Sequence, residues 1–181
     1  MKENKGITMV TLIITIILLV ILAGISIGTG NKIIKSSELE NVITNMLLIK
    51  AKGKEYVENA NFKLGTNFNN STDKEKRIEA AKEELKGEKI TDAAIFEQNI
   101  GITNEDITKE NDDYIYYYKL DEDDLTDMGL SNVKSDEKNG WYIIKYDIIN
   151  VEVEVYNTYG FERNGTKYFS LTELQNLNIE F

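Results

Sequence analysis

The chain has 181 residues, a formal net charge of −10 and no Cys, His or Pro, which excludes disulfide staples, the usual zinc sites, imidazole bases and thiol nucleophiles. The charge is uneven: residues 1–6 sum to +1 (two Lys against one Glu), residues 7–62 to +1 (five Lys against four Glu), and residues 63–181 to −12 (14 Lys and Arg against 26 Asp and Glu). So acidic a segment repels phosphate backbones, and nucleic-acid binding by residues 63–181 is not expected.

Met1–Gly6 is a short basic stub, with Lys2 and Lys5 against Glu3. From Ile7 to Ile27 nearly every residue is apolar, and the exceptions (Thr8, Thr11, Thr15, Gly24, Ser26) are small. About 21 residues at roughly 1.5 Å each span about 31 Å, the thickness of a bilayer's hydrocarbon. A buried helix of a soluble domain is seldom apolar all round for so long. The reading is the transmembrane half of a helix over residues 7–28, with the stub in the cytoplasm and the rest of the chain outside. Lys32 and Lys35 follow the span and weaken that orientation bias. The alternative is a cleaved secretory signal, whose core is about 7–15 residues long and ends in a small-x-small site. The run is longer, and Leu22 and Ile25 fit poorly around Ala23 and Gly24.

The helix is expected to continue over 29–62 as an amphipathic half. Leu39, Val42, Ile43, Met46 and Leu47, then Val57 and Ala60, recur at helical spacing. Gly24, Gly28 and Gly30 weaken it where it leaves the lipid, at roughly 1 kcal/mol each. Residues 61–72 are polar and turn-rich, a loop. Asp73 can cap a short helix over 74–86, expected to lie over a sheet and end before Gly87.

From Asp112 the period changes to 2. Tyr114–Leu120 reads as a strand, and Asp121 caps a short helix over 122–128 that stops at Gly129, with Leu125, Met128 and Leu130 inward. Asn139-Gly140 marks a tight turn; strands are expected at about 141–147 and 151–157. Asn164-Gly165 marks a hairpin into Lys167–Phe169, and Ser170-Leu171-Thr172-Glu173 is a capping-box pattern. The fold class is α+β: a long N-terminal helix packed on a C-terminal antiparallel sheet of three to five strands, within an extracytoplasmic domain over 63–181.

Lys5-Gly6-Ile7-Thr8-Met9-Val10-Thr11-Leu12, followed by the unbroken apolar run, resembles the N-terminus of type IV prepilins and type II secretion pseudopilins. The motif covers residues 1–30; the pilin-like order of parts covers the whole chain less specifically. The resemblance implies that residues 1–6 are a leader peptide, that a prepilin peptidase cuts between Gly6 and Ile7, and that Ile7 becomes N-methylated. It also implies a membrane location and, as partners, other pilin subunits and an assembly platform. The family's characteristic glutamate, thought to neutralise a neighbour's terminal amine, would fall at position 11. Here Thr11 stands there, which fits a minor, initiating or specialised subunit. The proline that often bends the family's helix and its C-terminal cysteine pair are also missing.

Asp121-Glu122-Asp123-Asp124 is the densest acidic cluster. A calcium site would suit its oxygen ligands, but no turn glycine or EF-hand spacing is present, and helix capping accounts for the acids. No metal or cofactor is therefore expected. Tyr114, Tyr116, Tyr117, Tyr118, Trp141, Tyr142, Tyr146, Tyr156, Tyr159 and Tyr168 are expected to pack a sheet rather than form a sugar-binding platform. Thr8, Thr11 and Thr15 could hydrogen-bond across packed membrane helices or satisfy their own helix. The expected function is a filament subunit rather than an enzyme, since abundant carboxylates are not a site. The alternative is a single-span membrane-anchored binding or adhesion module that is not polymerised.

Overall fold

The computed structural model describes residues 31–65, 74–96, 99–109 and 114–177. Helix α1 (Asn31–Leu64) is followed by α2 (Lys74–Lys82), strand β1 (Glu88–Lys89), a 3-10 turn (Ala93–Ile95) and α3 (Asn104–Thr108). Then come β2 (Ile115–Leu120), α4 (Glu122–Asp127), β3 (Tyr142–Asp147), β4 (Glu152–Arg163), β5 (Thr166–Ser170) and α5 (Leu171–Gln175). The sheet has five strands in the order β1-β2-β3-β4-β5, and each neighbouring pair is antiparallel. This is the α+β architecture expected from the sequence: a long helix laid on a meander.

The side of α1 that meets the sheet carries Met46, Ile49, Gly53, Val57, Ala60 and Leu64, with spacings of three and four residues that keep them on one stripe. All are buried, as is Leu39 further up. Val42, Ile43 and Leu47, expected on the same stripe, are only partly covered and pack at its margin. The helix runs four residues beyond Ala60, so the expected loop at 61–72 begins later. Among its residues, 66–72 lie outside the described part.

Alternation sorts the strands onto two faces. Tyr116, Tyr118, Leu120, Tyr142, Ile144, Tyr146, Val153 and Val155 join the α1 side in one core. Tyr117 and Ile143 point the other way, into a second, smaller core with Ile90, Ile100, Ile102 and Ile107. The segment from β1 through α3 therefore covers the sheet's outer face. It has two strand residues and a five-residue helix, too little for period-based reading to detect. Thr103 caps α3: its hydroxyl accepts from the Asp106 N–H, and its own backbone N–H donates to the Asp106 carboxylate, a capping box.

Helix α2 was expected over the sheet; instead its main neighbour is α1. Its thin apolar edge, Ala81 with Leu85 just beyond, enters the α1 core, and Lys63 of α1 pairs with Glu84 at 3.4 Å. Its end reaches the sheet, where the Lys82 ammonium sits 5.1 Å from the Tyr116 ring centroid. The helix closes at Lys82 and continues as turns to Leu85. Gly87 then takes φ +110, and a Cβ there would stand 2.7 Å from the Lys119 carbonyl oxygen. Only glycine lets β1 approach β2 so closely.

Candidate functional site

Gly6, Ile7 and Thr11, which carry the processing and assembly reading, lie outside the described residues. So do the apolar run Ile7–Ile27, Thr8, Thr15, Gly24, Gly28 and Gly30. Among the described residues no helix is long and apolar enough to cross a membrane. The structure does describe the mount that joins the long helix to the sheet, and that mount is the candidate site.

Its centre is Gly53. A Cβ at this position would lie 2.5 Å from Ile144 Cδ1 and 3.1 Å from Val153 Cγ1. The missing side chain lets α1 sit directly on β3 and β4. One turn earlier, Lys50 Nζ pairs with Glu154 Oε2 at 3.5 Å. Glu154 also accepts from the Thr172 backbone N–H at 2.8 Å and from its hydroxyl at 2.9 Å. One carboxylate thus ties α1, β4 and the first turn of α5. At the far end, Asn61 Nδ2 donates to the Ile148 carbonyl at 2.7 Å, fastening the last turns of α1 to the β3–β4 turn.

Lys50, Lys54, Lys145, Asp147, Glu152, Glu154 and Thr172 line an open cleft beside this mount. The Asp147 carboxylate accepts from the Asn150 N–H and its side-chain amide at 3.0 and 2.8 Å. Asp147 and Glu154 are thus both engaged in bonds that tie neighbouring elements together, with lysines beside them. Buried tyrosines add to the same rigid base. Tyr146 meets Tyr118 edge-on at 5.6 Å between centroids and donates its hydroxyl to the Lys86 carbonyl at 3.2 Å. Burial raises the Tyr146 hydroxyl far above its ordinary value.

The acidic cluster works as a cap. Asp121 Oδ1 accepts from the Asp124 N–H at 2.8 Å, and Asp124 Oδ2 accepts from the Asp121 N–H at 3.0 Å. Burial, then the neighbouring Asp121 and Asp127, raise the Asp124 carboxyl above its usual range. Leu125 and Met128 are buried beneath it as expected. Among the described residues no group of three or more acidic side chains is arranged to hold a metal ion.

The aromatic residues divide. Tyr114, Tyr116, Tyr117, Tyr118, Tyr142 and Tyr146 are buried; Trp141, Tyr156 and Tyr168 are half-buried and Tyr159 is exposed. At one end of the outer face lysines lie over rings. Lys119 Nζ is 3.8 Å from the Trp141 centroid, and Lys167 Nζ is 5.3 Å from Tyr159 and 5.8 Å from Phe169. Tyr117, under Lys145, has its hydroxyl pushed up to about 12, first by burial and then by Asp106.

Sequence reasoning passed over Gly53 and Glu154. Gly53 lies on the apolar spacing 46, 49, 53, 57, 60, which is the available signal that a helix glycine faces a core. Glu154 alternates with buried valines and reads as a solvent-facing strand residue; its partners on α1 and α5 are set only by tertiary packing. No protein-family model, curated protein or solved structure matches the chain.

Proposed function

We propose that the chain is a pilin-like subunit. A prepilin peptidase cuts it between Gly6 and Ile7 and methylates Ile7, and the N-terminal helix then packs it into a type IV pilus-like or type II secretion filament. The observation that carries the reading is the order of parts. Basic stub, Gly6 and apolar run come first, then a long helix buried along one side against an antiparallel meander. Val42, Ile43 and Leu47 on α1 are left partly uncovered by the protein's own core and suit packing against neighbouring helices. The charge asymmetry supports the same reading, because residues 7–62 carry +1 and the rest outside carries −12. With Thr11 in place of a carboxylate, the subunit is a minor or specialised one.

Co-expression with a prepilin peptidase tests this. The wild-type chain should lose residues 1–6, and Gly6→Phe should stay at full length. Normal processing of Gly6→Phe, or an uncut wild type, would remove the support for the proposal.

The second reading is a membrane-anchored binding module that is never cut or polymerised. It is favoured by the ring-and-lysine strip of Trp141, Tyr159 and Phe169 with Lys119 and Lys167, which lies on the sheet face opposite α1.

A further inference from the structure

The chain contains two Asn-Gly pairs, Asn139-Gly140 and Asn164-Gly165. Such pairs are the chemically weakest peptide bonds toward loss of a side-chain amide, because glycine has no Cβ to obstruct attack by its own nitrogen. The fold treats the two pairs differently.

Asn139 is held from three sides. Its Nδ2 donates to both oxygens of Asp136, at 2.9 and 3.0 Å. Its backbone N–H donates to Asp136 Oδ1 at 2.8 Å, and its carbonyl accepts from Asn157 Nδ2 at 3.3 Å. Gly140 is bridged back to Asp136 and is buried so tightly that a Cβ would stand 2.6 Å from the Tyr159 nitrogen. The Asp136 carboxyl lies below its usual range, first through the Asn139 backbone and then through its side chain.

Asn164 and Gly165 are the two residues of the β4–β5 turn, between the paired Arg163 and Thr166. Both are exposed, both have positive φ, at 53 and 77, and a Cβ at Gly165 would meet nothing within 4 Å. Among the described residues no hydrogen-bond partner holds the Asn164 amide.

We infer that Asn164 is a site of spontaneous deamidation and that Asp136 protects the matching Asn139. In this reaction the Gly165 nitrogen, deprotonated by hydroxide, attacks Asn164 Cγ. The new N–C bond closes a succinimide, the Cγ–Nδ2 bond breaks, and ammonia leaves with a proton from water. Water then opens the imide at either carbonyl and gives Asp or isoAsp, so the net change is one water in and one ammonia out. Asp adds a negative charge to the turn. IsoAsp adds a backbone methylene to a two-residue turn and disrupts the Arg163–Thr166 pairing. This inference is independent of the filament reading.

The test uses the full chain in detergent, aged in mildly alkaline buffer with and without urea. Chymotryptic peptides 162–168 and 131–141 separate the two sites, and mass spectrometry follows amide-to-acid conversion in each. In the folded protein Asn164 should convert about tenfold or more faster than Asn139, as expected if charge-assisted hydrogen bonds must break first at Asn139. In urea the two rates should converge. Asp136→Ala should raise the folded-state rate at Asn139 while leaving Asn164 unchanged. A folded-state ratio equal to that in urea, a faster Asn139, or an unmoved Asn139 rate in Asp136→Ala would each overturn the inference.

Discussion

Gly53 on the long helix and Ile144 on the central strand β3 meet so closely that a methyl group on Gly53 would stand 2.5 Å from Ile144 Cδ1. Ile144 is fully buried, so its side-chain end has little room to withdraw. Gly53→Ala should gain about 1 kcal/mol in helix propensity and lose about 1–3 kcal/mol to overpacking. The expected net is a loss of up to about 2 kcal/mol, with Gly53→Leu worse still. Urea unfolding followed by circular dichroism checks this. A midpoint that rises for Gly53→Ala would show that α1 does not rest on β3 there.

Glu154 joins three elements, and its bonds are unequal. Its two hydrogen bonds from Thr172 involve a charged acceptor but lie at the surface, and together are worth about 1.5–3 kcal/mol. The Lys50 pair is partly solvent-exposed and worth about 1 kcal/mol or less. Glu154→Ala should therefore destabilise clearly more than Lys50→Met in the same unfolding assay. Equal losses would mean that the ion pair, not the α5 contact, dominates.

Asp121→Ala removes the acceptor that caps α4 and should cost about 1 kcal/mol, whereas Asp121→Ser should stay near wild type. Thermal unfolding of the two variants separates a capping role from a role for the carboxylate charge. If Ser proves as damaging as Ala, the cap does not explain Asp121.

Glu173 gives a pH signature. Burial pushes its carboxyl up, but hydrogen bonds from the Ser170 and Phe169 N–H groups and the Ser170 hydroxyl outweigh this and hold it below the usual range. A carboxyl whose folded value is depressed stabilises above its unfolded value, about 4.3. That stability is lost as pH falls through the folded value. Glu173→Gln keeps an acceptor for the same N–H groups and removes the titration. It should be less stable than wild type at neutral pH and should converge with it in acid. Parallel curves across that range would contradict the assignment.

Much of the sheet was legible because its punctuation is chemical. Asp121 and Ser170 each start a capping box at the expected place, and Asn164-Gly165 turns β4 into β5 as expected. Thr103 to Asp106 carries the same spacing, but the apolar residues around it (Ile90, Ile100, Ile102, Ile107) follow neither a helical nor a strand period, so α3 and the outer core are not legible from the sequence. Strand β4 was expected to end near residue 157 and runs to Arg163. The register shift between Tyr156 and Phe161, with Gly160 at φ +68, breaks the alternation that would have shown it. Gly53 reads as a weak point of a helix until the sheet is placed against it. That placement depends on residues about 90 positions further along the chain.

The central claim concerns the N-terminus, so mass spectrometry of the N-terminal peptide from the native membrane fraction tests it most directly. The account predicts a chain that begins with N-methylated Ile7. A chain that still begins at Met1 would contradict it and leave a plain membrane anchor, and one that begins near residue 24 would make the outer domain a secreted one.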